Sequence, residues 1–209
     1  MLTPVLTADD HPLFRAALVQ AVRQAAPDRE VIERDTLGGA LSALAEGPIG
    51  LLTLDLHMPD SEGLAGLLQV RSQYPAVPVV VVSGDTGAGL AARAASLGAS
   101  GFVPKSSELS TIREAIEAVL DGEVWLPEES DPSEEDRALQ SLTPAQLKVL
   151  LYVRDGLLNK QIAYEMQISE ATVKAHMTAV MQKLSVQTRT QAAMVARTLD
   201  VNPSERSTD

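Results

Sequence analysis

The sequence of 209 residues has no cysteine, only three histidines and no long apolar run. Without cysteine the chain can form no disulfide, no thiolate zinc site and no cysteine nucleophile. The histidines, at positions 11, 57 and 176, lie too far apart along the chain for a local metal motif. No apolar stretch approaches the ~20 residues of a membrane-spanning helix, and the start of the chain lacks a signal-peptide pattern. We therefore expect a cytoplasmic protein that makes no membrane contact.

Positive charge is also scarce, because 17 lysines and arginines stand against 28 aspartates and glutamates, for a net charge of −11. The imbalance is uneven along the chain. Residues 1–127 carry a net −8 and residues 128–141 a net −5, whereas residues 142–199 carry +4. A basic module beside acidic neighbours is typical of a DNA-binding domain with a separate control domain, with chance unevenness as the alternative.

Short apolar runs alternate with amphipathic stretches through the first 125 residues. The predicted strands are residues 5–8, 31–33, 51–54, 79–82 and 101–103. The predicted helices are residues 12–26, 37–45, 64–74, 89–97 and 108–120. Repeated βα units of this kind form a parallel sheet with helices on both faces. We predict a doubly wound, five-stranded α/β domain of the flavodoxin-like type over residues 1–122.

The pattern breaks down after this domain. We predict a linker over 123–141, because this segment contains Pro127, Pro132 and a string of acidic residues that ends at Asp136. Such a segment buries too little apolar surface to become ordered. Beyond the linker, helices are predicted at 144–155, 159–166, 170–184 and 188–198, and Thr143 is placed to cap the first of them. We predict an all-α four-helix domain over 142–199, followed by a tail over 200–209.

Polar residues follow the predicted strands of the first domain. Asp9 and Asp10 follow the first strand, Asp55 the third, Ser83 the fourth and Lys105 the fifth. The carboxyl ends of parallel strands meet at one edge of the sheet, which is where ligands bind in such folds. Three carboxylates gathered there would repel one another unless they bind a hard cation, and Mg²⁺ suits a site of few carboxylates and a phosphate.

This set of groups fits phosphoryl transfer to a carboxylate. Asp55 would attack, Mg²⁺ and Lys105 would neutralise the transferring oxygens, and the Ser83 hydroxyl would bind a phosphoryl oxygen. A carboxylate needs no general base, because it is already ionised at neutral pH. A single aspartate at a strand end would more simply be a cap residue, but the complete set favours a site.

Four short blocks resemble the signature of response-regulator receiver domains: Asp9-Asp10-His11-Pro12, Asp55-Leu56-His57-Met58-Pro59, Val82-Ser83-Gly84 and Gly101-Phe102-Val103-Pro104-Lys105. The resemblance implies that Asp55 accepts phosphate from a sensor histidine kinase. It implies a Mg²⁺ site formed by Asp9, Asp10, Asp55 and the main chain at His57. It also implies that Ser83, Phe102 and Lys105 contact the phosphoryl group and act as the switch. The His57 side chain is either a solvated loop residue or a control on water access, and Phe102 is either a core residue or a turning aromatic.

The predicted helix at 170–184 has an apolar stripe and, opposite it, a face of small and mildly polar residues. Such a face suits insertion into the major groove of DNA, which is about 12 Å wide. An ordinary solvent-facing surface is the alternative for this helix taken alone.

The surrounding motifs, including Leu142-Thr143-Pro144, Asn159-Lys160-Gln161-Ile162-Ala163 and Thr172-Val173-Lys174-Ala175-His176, are similar to the LuxR-type helix-turn-helix. The resemblance implies base-facing residues on the third helix, namely Lys174, Ala175 and Thr178. It implies phosphate contacts by Lys160, Thr172, Lys183 and Arg189. It also implies a dimer seam on the fourth helix, formed by Ala192, Val195, Ala196 and Leu199, with packing inside the domain as the alternative for some of them.

The two resemblances together indicate a response regulator of the NarL/FixJ type and not an enzyme. It would be phosphorylated on Asp55, bind a double-stranded DNA operator as a homodimer and regulate transcription, with RNA polymerase as a further partner. A haloacid-dehalogenase-like phosphatase is one alternative, but it needs an aspartate where His57 stands. A regulator that works without phosphorylation is another, against which the complete set of Asp9, Asp10, Asp55 and Lys105 argues.

Overall fold

The computed structural model describes residues 2–87, 89–126 and 132–200. The chain forms two compact units, and the second of them is Pro132–Asp200. Residues 127–131 of the predicted linker lie outside the described residues. So does the predicted tail, except for Asp200.

The first unit is built on a five-stranded parallel sheet. Its strands and the two strands of a separate short hairpin are β1 (Val5–Ala8), β2 (Val31–Arg34), β3 (Leu51–Leu54), β4 (His57–Met58), β5 (Ser61–Glu62), β6 (Val79–Ser83) and β7 (Gly101–Pro104). The order in the large sheet is β2-β1-β3-β6-β7, while β4 and β5 pair antiparallel in the hairpin. The predicted α/β fold class is confirmed.

Five helices surround this sheet: α1 (Pro12–Ala25), α2 (Leu37–Glu46), α3 (Ala65–Gln73), α4 (Leu90–Ser96) and α5 (Leu109–Leu120). Every residue of β6 is buried, so both faces of the sheet are covered, as the uninterrupted run of valines predicts. On one face, Val80 and Val82 pack with Leu18 of α1 and with Ile112 and Ile116 of α5. This packing fixes the sheet whose carboxyl edge carries the acidic residues.

Asp60, in the turn between β4 and β5, joins the loop after Asp55 to the start of α2. Its carboxylate accepts hydrogen bonds from the backbone amides of Leu37, at 2.8 Å, and Gly38, at 2.7 Å. These amides lack partners within the helix, and the positive end of the helix dipole favours a carboxylate. The chain just beyond Asp55 is thereby held in place.

The second unit is helical. Its elements are α6 (Glu134–Gln140), α7 (Pro144–Arg154), α8 (Asn159–Met166), α9 (Glu170–Lys183) and α10 (Arg189–Arg197). Thr143 begins α7 with the predicted capping box to Gln146, and the Ser169 side chain accepts the Thr172 amide at the start of α9. The four helices predicted between 144 and 198 are therefore present, which confirms the helical class of this unit.

The predicted linker is wrong at both of its described ends. Trp125 pairs with the edge of β7, because its carbonyl accepts the Phe102 amide and its amide donates to Ser100, both at 2.9 Å. Residues 134–140 form α6, which the Ser133 side chain caps. Composition favoured disorder, but Leu139 is fully buried and the acidic residues of α6 stand in its first turn, where the helix dipole favours them.

Within the described ranges no helix combines the length and the apolar character that a membrane crossing requires.

We predict that Leu139→Ala destabilises the second unit by about 2 to 5 kcal/mol, the usual cost of truncating a buried leucine. Arg137→Ala, at an exposed position of the same helix, should change the free energy of unfolding by less than about 0.5 kcal/mol. Urea titration of the full chain, followed by helical circular dichroism, measures both. Equal unfolding midpoints for the two variants would return residues 134–140 to the linker.

Candidate functional site

Three strand ends of the first unit bring charged side chains together. Asp9 follows β1 and is 0% exposed, and Asp55 follows β3 and is 2% exposed. Lys105, directly after β7, places its Nζ 2.7 Å from Asp55 Oδ2 and 2.8 Å from Asp9 Oδ2. The structure thus joins two of the predicted carboxylates and the predicted lysine in one buried ion-pair cluster.

Asp55 is in an unfavourable setting for a negative charge. Burial raises the pKa of its carboxyl above the ordinary value of 3.8, and the charge of Asp9 raises it further. The hydrogen bond and the positive charge of Lys105 lower the pKa, as does the His57 amide, which lies 3.2 Å from Asp55 Oδ1. Since one ammonium stands against several carboxylates, a further cation would stabilise the ionised site.

A divalent cation fits this cluster. Asp9, Asp10, His11 and Asp55 each offer one ligand atom, and these four atoms all lie within 4.8 Å of one another. Three of the four ligand atoms are carboxylate oxygens, which are the ligands that small hard cations prefer. The metal-binding role of the three predicted aspartates is therefore supported by geometry, whereas His11 was not predicted. Its position directly after Asp10 was the available signal.

The His57 side chain does not join this cluster. Its Nε2 contacts the carboxylate of Asp85, in the loop that follows β6, so the imidazole spans from the β4 hairpin to that loop. The predicted contact of the His57 carbonyl with a metal remains a prediction. Asp85 was missed by the sequence analysis, because nothing in the spacing of residues 57 and 85 indicates that they meet.

Ser83 is the last residue of β6, and Phe102 lies within β7, the strand that Lys105 directly follows. Ser83 is fully buried, and its Oγ accepts a hydrogen bond from the Asp85 amide at 3.1 Å. Its backbone carbonyl accepts the Lys105 amide at 2.7 Å. Phe102 is 8% exposed, so its ring is buried, and the turning of this ring stays a prediction.

In the second unit, α9 presents the face that the sequence predicts. Val173, Met177 and Val180 are buried, whereas Lys174, Ala175 and Thr178 are exposed. Lys160, near the start of α8, is exposed as well. Thr172 is half-buried, and its Oγ1 lies 2.8 Å from the hydroxyl of the capping residue Ser169. The exposed face of α9 therefore carries one lysine and two small residues.

Two of the residues predicted to contact phosphate make hydrogen bonds to other residues of the unit. Lys183 Nζ donates to the Ser141 carbonyl at 2.6 Å and to Gln146 Oε1 at 2.8 Å. The Arg189 guanidinium donates to Asn159 Oδ1 at 2.7 Å and also bonds the Leu157 carbonyl. Partial burial lowers the pKa of Arg189 from its ordinary value. Both side chains therefore connect helices of the unit, which their sequence positions do not reveal.

The predicted dimer seam on α10 needs correction. Ala192, Ala196 and Leu199 are all fully buried within the unit, where α10 packs against α7, and Val195 is half-buried. A unit of this size needs those small apolar side chains to close its own core. The exposed side of α10 instead carries Met194, which is 64% exposed.

We predict that Asp55→Asn stabilises the protein at pH 7 in the presence of EDTA. A carboxyl whose folded pKa lies above 3.8 binds its proton more tightly in the folded chain, so its ionisation lowers stability as the pH rises from about 3.8 through the raised pKa. The gain in unfolding temperature, measured by calorimetry, should shrink towards pH 4.

Asp35→Asn, which changes an exposed aspartate, is the control and should give no such pH-dependent gain. An Asp55→Asn variant that unfolds at or below the wild-type temperature at pH 7 would contradict the assignment of a destabilising charge to Asp55.

Two family models match the chain. The model described as "Response regulator receiver domain" matches residues 5–117, and the model described as "Bacterial regulatory proteins, luxR family" matches residues 140–196. The first match alone spans more than half of the chain, and together the matches cover the two structural units.

Relatives match along nearly the whole length. The "Glycerol metabolism activator" of Pseudomonas putida is 39% identical and covers 94% of this chain and 96% of its own. The "Nitrate/nitrite response regulator protein NarL" of Escherichia coli K12 is 30% identical and covers 91% and 93%.

The fold has relatives among solved structures. RcsB from Salmonella enterica serovar Typhimurium, bound to a promoter in the presence of a phosphomimetic, has a TM-score of 0.55 at 21% identity, with 93% of this chain and 97% of that chain covered. The two domains, their order and these relatives lead to one conclusion: the chain belongs to the two-component response regulators of the NarL/FixJ type, which join a receiver domain to a LuxR-type helix-turn-helix.

Proposed function

We propose that a sensor histidine kinase phosphorylates Asp55, and that phosphorylation controls binding of the second domain to operator DNA as a homodimer. The observation that carries this proposal is the buried contact of Lys105 with both Asp55 and Asp9, at 2.7 Å and 2.8 Å. A lysine held in this way keeps a carboxylate nucleophile oriented and supplies positive charge for the incoming phosphoryl oxygens.

The described side chains divide the work of phosphoryl transfer among them. A carboxylate oxygen of Asp55 forms the new bond to phosphorus while the kinase histidine leaves. Ser83 Oγ accepts the Asp85 amide and so keeps its own proton free to donate to a phosphoryl oxygen. Mg²⁺, held by Asp9, Asp10 and Asp55 with the main chain at His57, would neutralise the charge that develops on the transferring group.

For the DNA-binding step we propose that α9 enters the major groove. The exposed Lys174, Ala175 and Thr178 face the bases, and their small size permits close approach. Lys160 is the strongest candidate for a phosphate contact and Thr172 a second, because Lys183 and Arg189 already make hydrogen bonds within the domain.

The homodimer is proposed to form through the exposed side of α10 around Met194. The relatives support the general scheme, since a solved structure is described as two RcsB dimers bound to two parallel DNAs. The name of the Pseudomonas putida relative supports activation of transcription as the outcome.

We predict that Asp55→Asn abolishes the phosphoryl adduct that forms with acetyl phosphate and Mg²⁺, because Asp55 stands at the acceptor position of the receiver motif and contacts Lys105 at 2.7 Å. Asp9, the other buried carboxylate that contacts Lys105, is assigned to the metal. Intact-mass spectrometry detects the adduct directly. Asp35→Asn, at an exposed position, should be labelled like the wild type. An adduct at normal yield on Asp55→Asn would move the acceptor to another carboxylate, with Asp9 and Asp10 tested next.

We predict that Lys174→Ala weakens binding to the specific operator by about 1 to 3 kcal/mol if Lys174 reads a base, and weakens binding to all sequences alike if it contacts only phosphate. Fluorescence anisotropy on operator and random DNA at several salt concentrations separates these outcomes.

Lys148→Ala is the matched control, since Lys148 is an exposed lysine on α7 outside the proposed surface. Lys160→Ala should reduce binding to both DNAs and flatten the salt dependence. If Lys174→Ala and Lys160→Ala both bound like Lys148→Ala, the proposed surface would be rejected.

A further inference from the structure

His11 lies against the carboxylates of the receiver site, although the phosphoryl chemistry above gives its side chain no role. Its Nδ1 is 2.6 Å from Asp10 Oδ1, 3.6 Å from Asp9 Oδ1 and 3.7 Å from Asp55 Oδ2. One imidazole nitrogen therefore faces all three acidic side chains that the proposed function assigns to the metal.

The same nitrogen also faces Lys105, whose Nζ lies 3.3 Å away. An ammonium group only donates hydrogen bonds, so this contact is a hydrogen bond only in the tautomer that leaves a lone pair on Nδ1. If Nδ1 carries that lone pair, its 2.6 Å contact with the Asp10 oxygen brings two hydrogen-bond acceptors together, which is unfavourable. With a proton on Nδ1 instead, the contact with Asp10 is favourable but the contact with Lys105 is repulsive. Lone pairs of nitrogen and carboxylate oxygens that converge in this way suit a shared cation.

The backbone holds His11 in this position from both sides. Its amide donates to Asp9 Oδ1 at 2.8 Å, and its carbonyl accepts the Arg15 amide at 2.8 Å. Pro12, the first residue of α1, fixes the backbone that follows. The ring therefore needs no backbone rearrangement to remain beside the carboxylates.

The separations also agree with simultaneous coordination. Ligand atoms that each lie roughly 2.1 Å from one small divalent ion are at most about 4.2 Å apart. The three distances from His11 Nδ1 to the carboxylate oxygens, 2.6, 3.6 and 3.7 Å, all meet this limit.

We propose that His11 Nδ1 is a ligand of the divalent cation in the receiver site. This inference rests on the proposed function, because the same cation would assist phosphorylation of Asp55. A nitrogen ligand shifts the preference of an oxygen site from Mg²⁺ towards Mn²⁺, Co²⁺ and Ni²⁺. His11 is then a residue that determines metal specificity, and the site accepts transition-metal ions more readily than an all-oxygen site does.

The direct test is pulsed electron paramagnetic resonance of Mn²⁺ bound to the full-length protein. Electron spin-echo modulation detects a nitrogen nucleus bonded to Mn²⁺, and ¹⁵N-labelled histidine changes the coupling in a known manner. The wild type and His176→Gln, which changes a histidine on α9 of the second unit, should show the histidine coupling. His11→Asn should bind Mn²⁺ without it, since the asparagine side chain can offer oxygen in place of the imidazole nitrogen.

A second measurement gives the specificity. Calorimetric titration of the same proteins with Ni²⁺ and Mg²⁺ yields the ratio of their dissociation constants. The preference for Ni²⁺ should fall by about tenfold or more in His11→Asn, since loss of residues that only support the ligands already costs about tenfold or more in metal affinity. The preference should stay unchanged in His176→Gln. Circular dichroism establishes that both variants are folded.

Absence of a histidine coupling in wild-type protein saturated with Mn²⁺ would overturn the assignment of His11, and so would a coupling that persists in His11→Asn. Normal phosphorylation of Asp55 alongside such a result would leave the proposed function intact. Failure of the wild type both to bind Mn²⁺ and to be phosphorylated would instead reject the proposed function together with the inference.

Discussion

The burial of two aspartates, Asp9 and Asp55, at one edge of a parallel sheet is the constraint on which the receiver domain depends. Buried carboxylates without partners are strongly destabilising, and Lys105 is the cation that compensates them. The lysine reaches both because β7 ends at the same edge as β1 and β3. One ammonium leaves negative charge uncompensated, so the ionic balance of the site responds to whatever cation or phosphoryl group enters it.

Much of the fold could be predicted from the sequence because local signals and tertiary packing agree. The run Val79-Val80-Val81-Val82 indicated a strand covered on both faces, and the capping box of Thr143 and Gln146 marked the start of a helix. The edge on which the aspartates meet followed from the parallel order of the strands. At this level the pattern predicted where each helix and strand lies along the chain and at which edge of the sheet the aspartates meet.

Side-chain partners could not be predicted in the same way, because they depend on distances between segments far apart in sequence. His57 meets Asp85, and Arg189 meets Asn159, without any periodicity that announces the contact. The small residues of α10 suited a dimer seam and the core of the domain equally well by composition. The prediction of the linker was wrong for a related reason, because a count of charged residues does not show that one leucine, Leu139, is buried.

The pairing of Trp125 with β7 has a consequence for solubility. In the sheet order β2-β1-β3-β6-β7, strand β7 has a neighbour on one side only, and its other side would offer free amides and carbonyls to another molecule. Trp125 takes up the Phe102 amide and the Ser100 carbonyl on that side. The segment that leads out of the receiver thereby blocks part of an exposed strand edge and limits sheet-to-sheet aggregation between copies of the protein.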